Sequence, residues 1–185
     1  MSVARWIVVA AALSGCGLLP AYLDVGAGAV AGASEANGFG AGPVLGLALG
    51  MAFDATNEPL LFGIGFASDV ASQRFTDFDY PALVAGLALD ASVPIVELDP
   101  SGVYLSWQAL VTLGGGGLRL TDPLADGEVR GEFGASVFSG LGVVYRYGPA
   151  NINMLSVMLG PYGMFLGHPG AYGGGMLRLR FGFWL

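Results

Sequence analysis

Few residues of this chain could do chemistry. In 185 residues there is one histidine, His168, and one cysteine, Cys16. His168 lies in Gly167-His168-Pro169-Gly170, a turn sequence with no serine beside it, and so reads as an exposed turn histidine rather than a catalytic base. One His and one Cys do not make a zinc site without carboxylates. The acidic stretches 76–79 and 122–128 could hold calcium only weakly; they lack EF-hand spacing and read as solvated loop acids. Gly114-Gly115-Gly116-Gly117 is not followed by Gly-Lys-Ser/Thr, so it is no phosphate loop, and a flexible strand end is expected there. No catalytic residue, metal or cofactor is expected, and the chain does not read as an enzyme.

The charges that remain are placed unusually. All seven basic residues are arginine and the net charge is −7, which argues against nucleic acid as a partner. Most acids fall in apparent loops. Asp24, Asp90, Arg146, Arg178 and Arg180 instead interrupt apolar runs. A charge there is tolerated only if it finds an opposite charge or water.

The elements that must position these charges follow from composition and period. Hydrophobic residues make up 54% and charged residues 11% of the chain, too few charges to cover a water-facing surface. The 32 glycines lie mostly inside the apolar runs, which argues against transmembrane helices. Eight runs are visible, at 22–31, 39–53, 60–70, 81–92, 103–114, 130–146, 153–165 and 172–185, separated by turn residues at 34–38, 54–59, 76–79, 97–102, 122–128, 148–151 and 167–170. Their period is two. Leu45, Leu47, Leu49, Met51 and Phe53 oppose Val44, Gly46, Ala48, Gly50 and Ala52; Leu177, Leu179, Phe181, Phe183 and Leu185 oppose Arg178, Arg180, Gly182 and Trp184. In the third run Asp69 shares the face of Gly63, Gly65 and Ala67. The fifth and sixth runs alternate less cleanly, and the seventh, which contains Pro161, is weak.

One face is therefore large and apolar, the other small or charged. A soluble sandwich would have no wettable outside. Lipid against the large face and a narrow lumen against the small one resolve this. The reading is all-β: a closed, antiparallel, up-and-down transmembrane β-barrel of about eight strands, since open edges in hydrocarbon would strand backbone N–H and C=O groups. Aromatics near run ends, Tyr22, Phe39, Phe53, Tyr80, Tyr104, Tyr145, Tyr147, Tyr172 and Trp184, suit interfacial girdles.

Upstream, residues 1–5 carry one positive charge, and 6–13 form an apolar stretch too short to span a bilayer as a helix. Leu13-Ser14-Gly15-Cys16 resembles the lipobox of bacterial lipoproteins, which implies that Cys16 is lipidated and becomes the mature N-terminus. The chain then divides into an export signal (1–15), a lipidated segment (16–21) and the barrel (22–185).

From Tyr22 to Leu185 the pattern resembles the small eight-stranded outer-membrane barrels, of which the OmpA transmembrane domain and OmpX are examples. The last strand is similar to their assembly signal, with Phe181, Phe183 and Leu185 alternating to the end. It departs from that signal in ending on Leu and in carrying Arg180 where Gly is usual. The resemblance implies a bacterial outer membrane, with membrane lipid as the surrounding partner and loops able to meet extracellular ligands. Both termini then face the periplasm. Asp24, Asp90, Arg146, Arg178 and Arg180 are expected to form an ion-pair network plugging the lower lumen, below a shallow Gly/Ala-lined pocket. A structural or surface-interaction role ranks first, a narrow channel for small apolar solutes second, and a lipid-modifying enzyme built on His168 third. Cys16→Ser should abolish incorporation of labelled fatty acid; a wild-type protein without an acyl chain by mass spectrometry contradicts the lipobox.

Overall fold

Long alternating runs favour extended chain, and extended chain in hydrocarbon must be paired along both edges. The computed structural model describes residues 20–34, 38–54, 61–74, 79–119, 129–147, 153–166 and 170–184. Among them are eight strands and no helix: β1 (Pro20–Ser34), β2 (Gly38–Asp54), β3 (Leu61–Arg74), β4 (Asp79–Asp99), β5 (Val103–Arg119), β6 (Val129–Tyr147), β7 (Asn153–Leu166) and β8 (Gly170–Trp184). Each pairs antiparallel with the next, and β1 pairs with β8 to close the barrel. Pro20 lies opposite Trp184, so the chain enters and leaves at the same rim. Cys16, His168 and the 122–128 stretch lie outside the described residues, as does all of 76–79 but Asp79.

Several strands run longer than their expected bounds, and two of these changes bear on the architecture. The break at 97–102 shrinks to Pro100-Ser101-Gly102, because β4 continues to Asp99 through two register shifts, at Pro94/Val96 and Glu97/Asp99. These bulges let the ladder pass a proline that cannot donate to it. Gly102, at φ 100°, closes the turn: its N–H donates to the Asp99 carbonyl at 3.1 Å, and Ser101 N–H donates to the Asp99 carboxylate at 2.7 Å. Hydrogen bonding from Ser101, first from its side chain and then from this N–H, holds the exposed Asp99 carboxyl below the usual carboxylate range. The second shift is at Gly114–Gly117, which is not a loose strand end. β5 runs on to Arg119, with Gly114 paired to Gly86 on one side and Gly134 on the other. Eight strands close only if the sheet coils tightly. At this point the backbones approach so nearly that a Cβ on Gly86 would sit 2.5 Å from the Gly114 Cα.

The wall is inside out relative to a soluble protein. Phe133 is 66% and Leu45 63% exposed, while Arg178 and Arg180 are each 1% exposed. An exterior of exposed Leu, Val, Ile and Phe with charges sealed within is a lipid-facing surface. Tyr145 and Tyr147 point outward near one rim and stack at 5.5 Å between centroids, as girdle aromatics do. Tyr22 and Tyr172 do not join a girdle: both are buried, since they share strand parity with Asp24 and Met176 respectively. The side chains of Phe53, Tyr80 and Trp184 lie outside those described.

The interior is divided by size. Inward positions of β2–β4 are small, among them Gly46, Ala48, Ala67, Ala71 and Ala88; β6–β8 supply Phe138, Met158, Tyr162, Met164, Tyr172 and Met176. This explains the weak seventh run. β7 is largely apolar on both faces, because its inward positions include the buried Met154, Met158, Tyr162 and Met164. In the half of the lumen away from the termini, Val30, Val44, Met164 and Tyr172 are buried among the smaller inward residues.

A lipid-facing wall predicts a depth-dependent cost for charge. Leu87→Arg, in mid-strand, should lose about 2–4 kcal/mol in urea unfolding from lipid vesicles, and Ile95→Arg, beside the β4–β5 turn, about 1 kcal/mol or less. Equal losses at both positions would contradict a belt bounded above the turn.

Candidate functional site

Closing β1 on β8 places Asp24 directly opposite Arg180, and Gly26 opposite Arg178. Both arginines occupy alternate, inward positions of β8 and lie over a wall too small to hinder them. Arg180 donates from Nε and Nη2 to Asp24 Oδ2 at 3.2 and 2.9 Å, and from Nη1 and Nη2 to the two Asp90 oxygens at 2.5 and 2.8 Å. Arg178 Nε donates to Asp24 Oδ1 at 2.7 Å, and its Nη1 lies 4.0 Å from Asp69 Oδ1. The result is an alternating chain, Asp69–Arg178–Asp24–Arg180–Asp90, drawn from β3, β8, β1 and β4 and crossing the lumen.

The ends are tied to the far wall. Gln108 Nε2 donates to Asp90 at 3.0 Å, and the Ser136 hydroxyl donates to Asp69. The Arg180 guanidinium lies 4.4 Å from the Tyr22 ring centroid, and that of Arg178 lies 5.6 Å from Phe138, so aromatic faces cover the cations where carboxylates do not. Glycines make room: a Cβ on Gly46 would strike the Asp69 carboxylate, and one on Gly63 would come within 3.0 Å of the Asp90 Cβ. Charges removed from water require this degree of mutual pairing. Every carboxylate of the chain faces a guanidinium.

Of the residues marked by sequence, Asp24, Asp90, Arg178 and Arg180 come together. Arg146 stands apart. It lies near the end of β6, with its backbone N–H donating to the Gly102 carbonyl at 2.8 Å and its guanidinium 5.9 Å from the Tyr104 ring centroid. The place in the chain not assigned from sequence is that of Asp69. Its parity with Gly63, Gly65 and Ala67 marked it as inward; what alternation could not show was that a β3 residue reaches Ser136, 67 positions onward. Tyr22, expected in a girdle, instead lies inside with its ring against Arg180.

No family model matches the chain, and no curated protein matches it in sequence. Solved structures do. Neisserial surface protein A (NspA) superposes with a TM-score of 0.55 at 17% identity, over 89% of this chain and 97% of that one. The fold is that of a small outer-membrane barrel. Ail, the attachment invasion locus protein of Yersinia pestis, matches with a TM-score of 0.46 at 13% identity, over 90% of this chain and 100% of its own. The N-terminal β-barrel domain of Pseudomonas aeruginosa OprF gives 0.36 at 12%, over 88% and 97%.

The order of links in this barrel's charged chain predicts a ranking. Asp24→Asn leaves two adjacent guanidiniums without their shared carboxylate and should cost about 3–5 kcal/mol. Asp69→Asn removes the longest link and leaves two carboxylates for two guanidiniums, so it should cost about 1 kcal/mol or less. Urea unfolding of the refolded variants in vesicles measures both; a reversed order would mean that Arg178 depends on Asp69 rather than Asp24.

Proposed function

We propose that this chain is a non-enzymatic barrel of the bacterial outer membrane, anchored there by its wall and by a lipid on Cys16, and that its contacts are made outside its lumen, by loops and wall. The observation that carries this reading is the charged chain across the lumen. Together with the buried Val30, Val44, Phe138, Tyr162 and Met164 it occupies the interior with ion pairs and apolar side chains, which suits an anchor or adhesion platform better than a conduit. The lipobox at Leu13-Ser14-Gly15-Cys16 supports the tether, and the even strand count supports loops 35–37, 75–78, 120–128 and 167–169 sharing the surface opposite the termini. Membrane lipid and extracellular ligands are the partners this reading implies.

The test is electrical. Purified protein in planar bilayers should give no steady conductance. Stable open channels in the wild type would overturn the reading and favour a conduit for small solutes, and Arg180→Ala would then be expected to raise their conductance.

A further inference from the structure

The wall carries a defect at mid-membrane. The β6–β7 ladder runs through Phe138↔Tyr162 and resumes at Leu141↔Leu159, with the two pairs between them missing. Opposite partners in this ladder alternate between close and hydrogen-bonded pairs. Gly142 and Met158 form a close pair, since a Cβ on Gly142 would lie 2.7 Å from the Met158 Cα. Counting back, Gly140 and Gly160 are also a close pair, and Ser139 and Pro161 fall at a hydrogen-bonding position. Pro161 has no N–H, so the Ser139 carbonyl lacks its ladder donor. A Cβ on Gly160 would lie 2.4 Å from the Gly140 Cα, as the close pairing of these two glycines requires.

An outward-opening groove of about 250 Å³ lies over this gap, lined by Trp107, Ser139, Gly140, Leu141, Leu159 and Pro161. It is larger than the engineered cavity of roughly 150 Å³ that accepts benzene. Leu141 and Leu159 are exposed rims, and the Trp107 indole N–H donates to Ser139 Oγ at 3.0 Å, which fixes the ring as a third wall. That bond uses Ser139 Oγ as an acceptor and leaves its own proton free to donate. Ser139 lies midway between Phe133 and Tyr145 on the outward row of β6, at the depth where an unpaired backbone group costs most.

We propose that this groove binds one hydrocarbon chain of a membrane lipid that carries a hydroxyl far from its headgroup. A single hydroxyl accepts from the Ser139 O–H and donates to the Ser139 carbonyl, while the chain lies between Trp107 and Leu159. A plain acyl chain fills the same space but leaves the carbonyl unpaired. The site belongs to the wall and is independent of whether the lumen conducts.

The test uses the full chain with Trp6→Phe and Trp184→Phe, leaving Trp107 as the reporter, in vesicles of brominated phosphatidylcholine that quench it. Ricinoleic and oleic acids differ by one mid-chain hydroxyl. Ricinoleic acid should relieve the quenching at about a fivefold lower mole fraction, the factor expected from one net hydrogen bond. Pro161→Ala, which restores the N–H and closes the ladder, and Ser139→Ala, which removes the donor, should each make the two acids equivalent, with heat-modifiable migration showing that each variant remains a barrel. Equal potency in the wild-type background, the signature of annular lipid alone, would overturn the proposal, as would a ricinoleic preference that survives both substitutions.

Discussion

The pairing of β1 with β8 is the constraint on which everything else depends. An eight-stranded sheet left open in hydrocarbon would expose two edges of unpaired N–H and C=O groups, each costing several kcal/mol. Closure removes the edges but fixes a narrow interior, and the sequence then has to fill that interior without bursting it. The inward glycines and alanines of β2–β4 are one half of the solution. The methionines, tyrosines and phenylalanine reaching from β6–β8 are the other. Neither half would pack alone: two small walls would leave a void, and two large ones would not close.

This division sets the limits of what alternation could show. On β2, β3, β4 and β8 a large apolar face opposes Gly, Ala, Asp or Arg, and strand, face and lumen all follow from spacing. On β7 the contrast disappears, because Met154, Met158, Tyr162 and Met164 inside are as apolar as Val157, Leu159 and Phe165 outside. The strand remains; its signal does not. Glycine misled at 114–117 for a related reason. A run of glycines reads as a loose end by conformational freedom, whereas here it allows close approach between strands already paired on both sides.

The charged chain was legible in one dimension only. Parity marked Asp24, Asp69, Asp90, Arg178 and Arg180 as inward, and closure follows from hydrocarbon alone, so the meeting of β1 and β8 residues could be reasoned out. Contacts across the lumen were legible only in part: Asp90 was expected in the network with the arginines, Asp69 was not. Asp90 and Asp69 reach β8 side chains through space set by tilt and coiling, quantities to which a period of two is blind. Tyr22 shows the opposite error: its position near a strand end suggested a girdle, while its parity with Asp24 put its ring beneath Arg180.

Why charges persist there follows from what alternation leaves undetermined. A slip of two residues between β1 and β8 preserves inside and outside, so burial of apolar surface does not forbid it. The facing outer residues offer little resistance, since Ala29 and Ala31 meet Gly175 and Gly173. The charges do resist. In the observed register Asp24 faces Arg180 and touches Arg178 from one position; moved by two residues toward Gly182, it would leave Arg178 without its 2.7 Å partner in a sealed, low-dielectric lumen. An apolar interior of the same volume could match the packing, but would not distinguish one closure from the next.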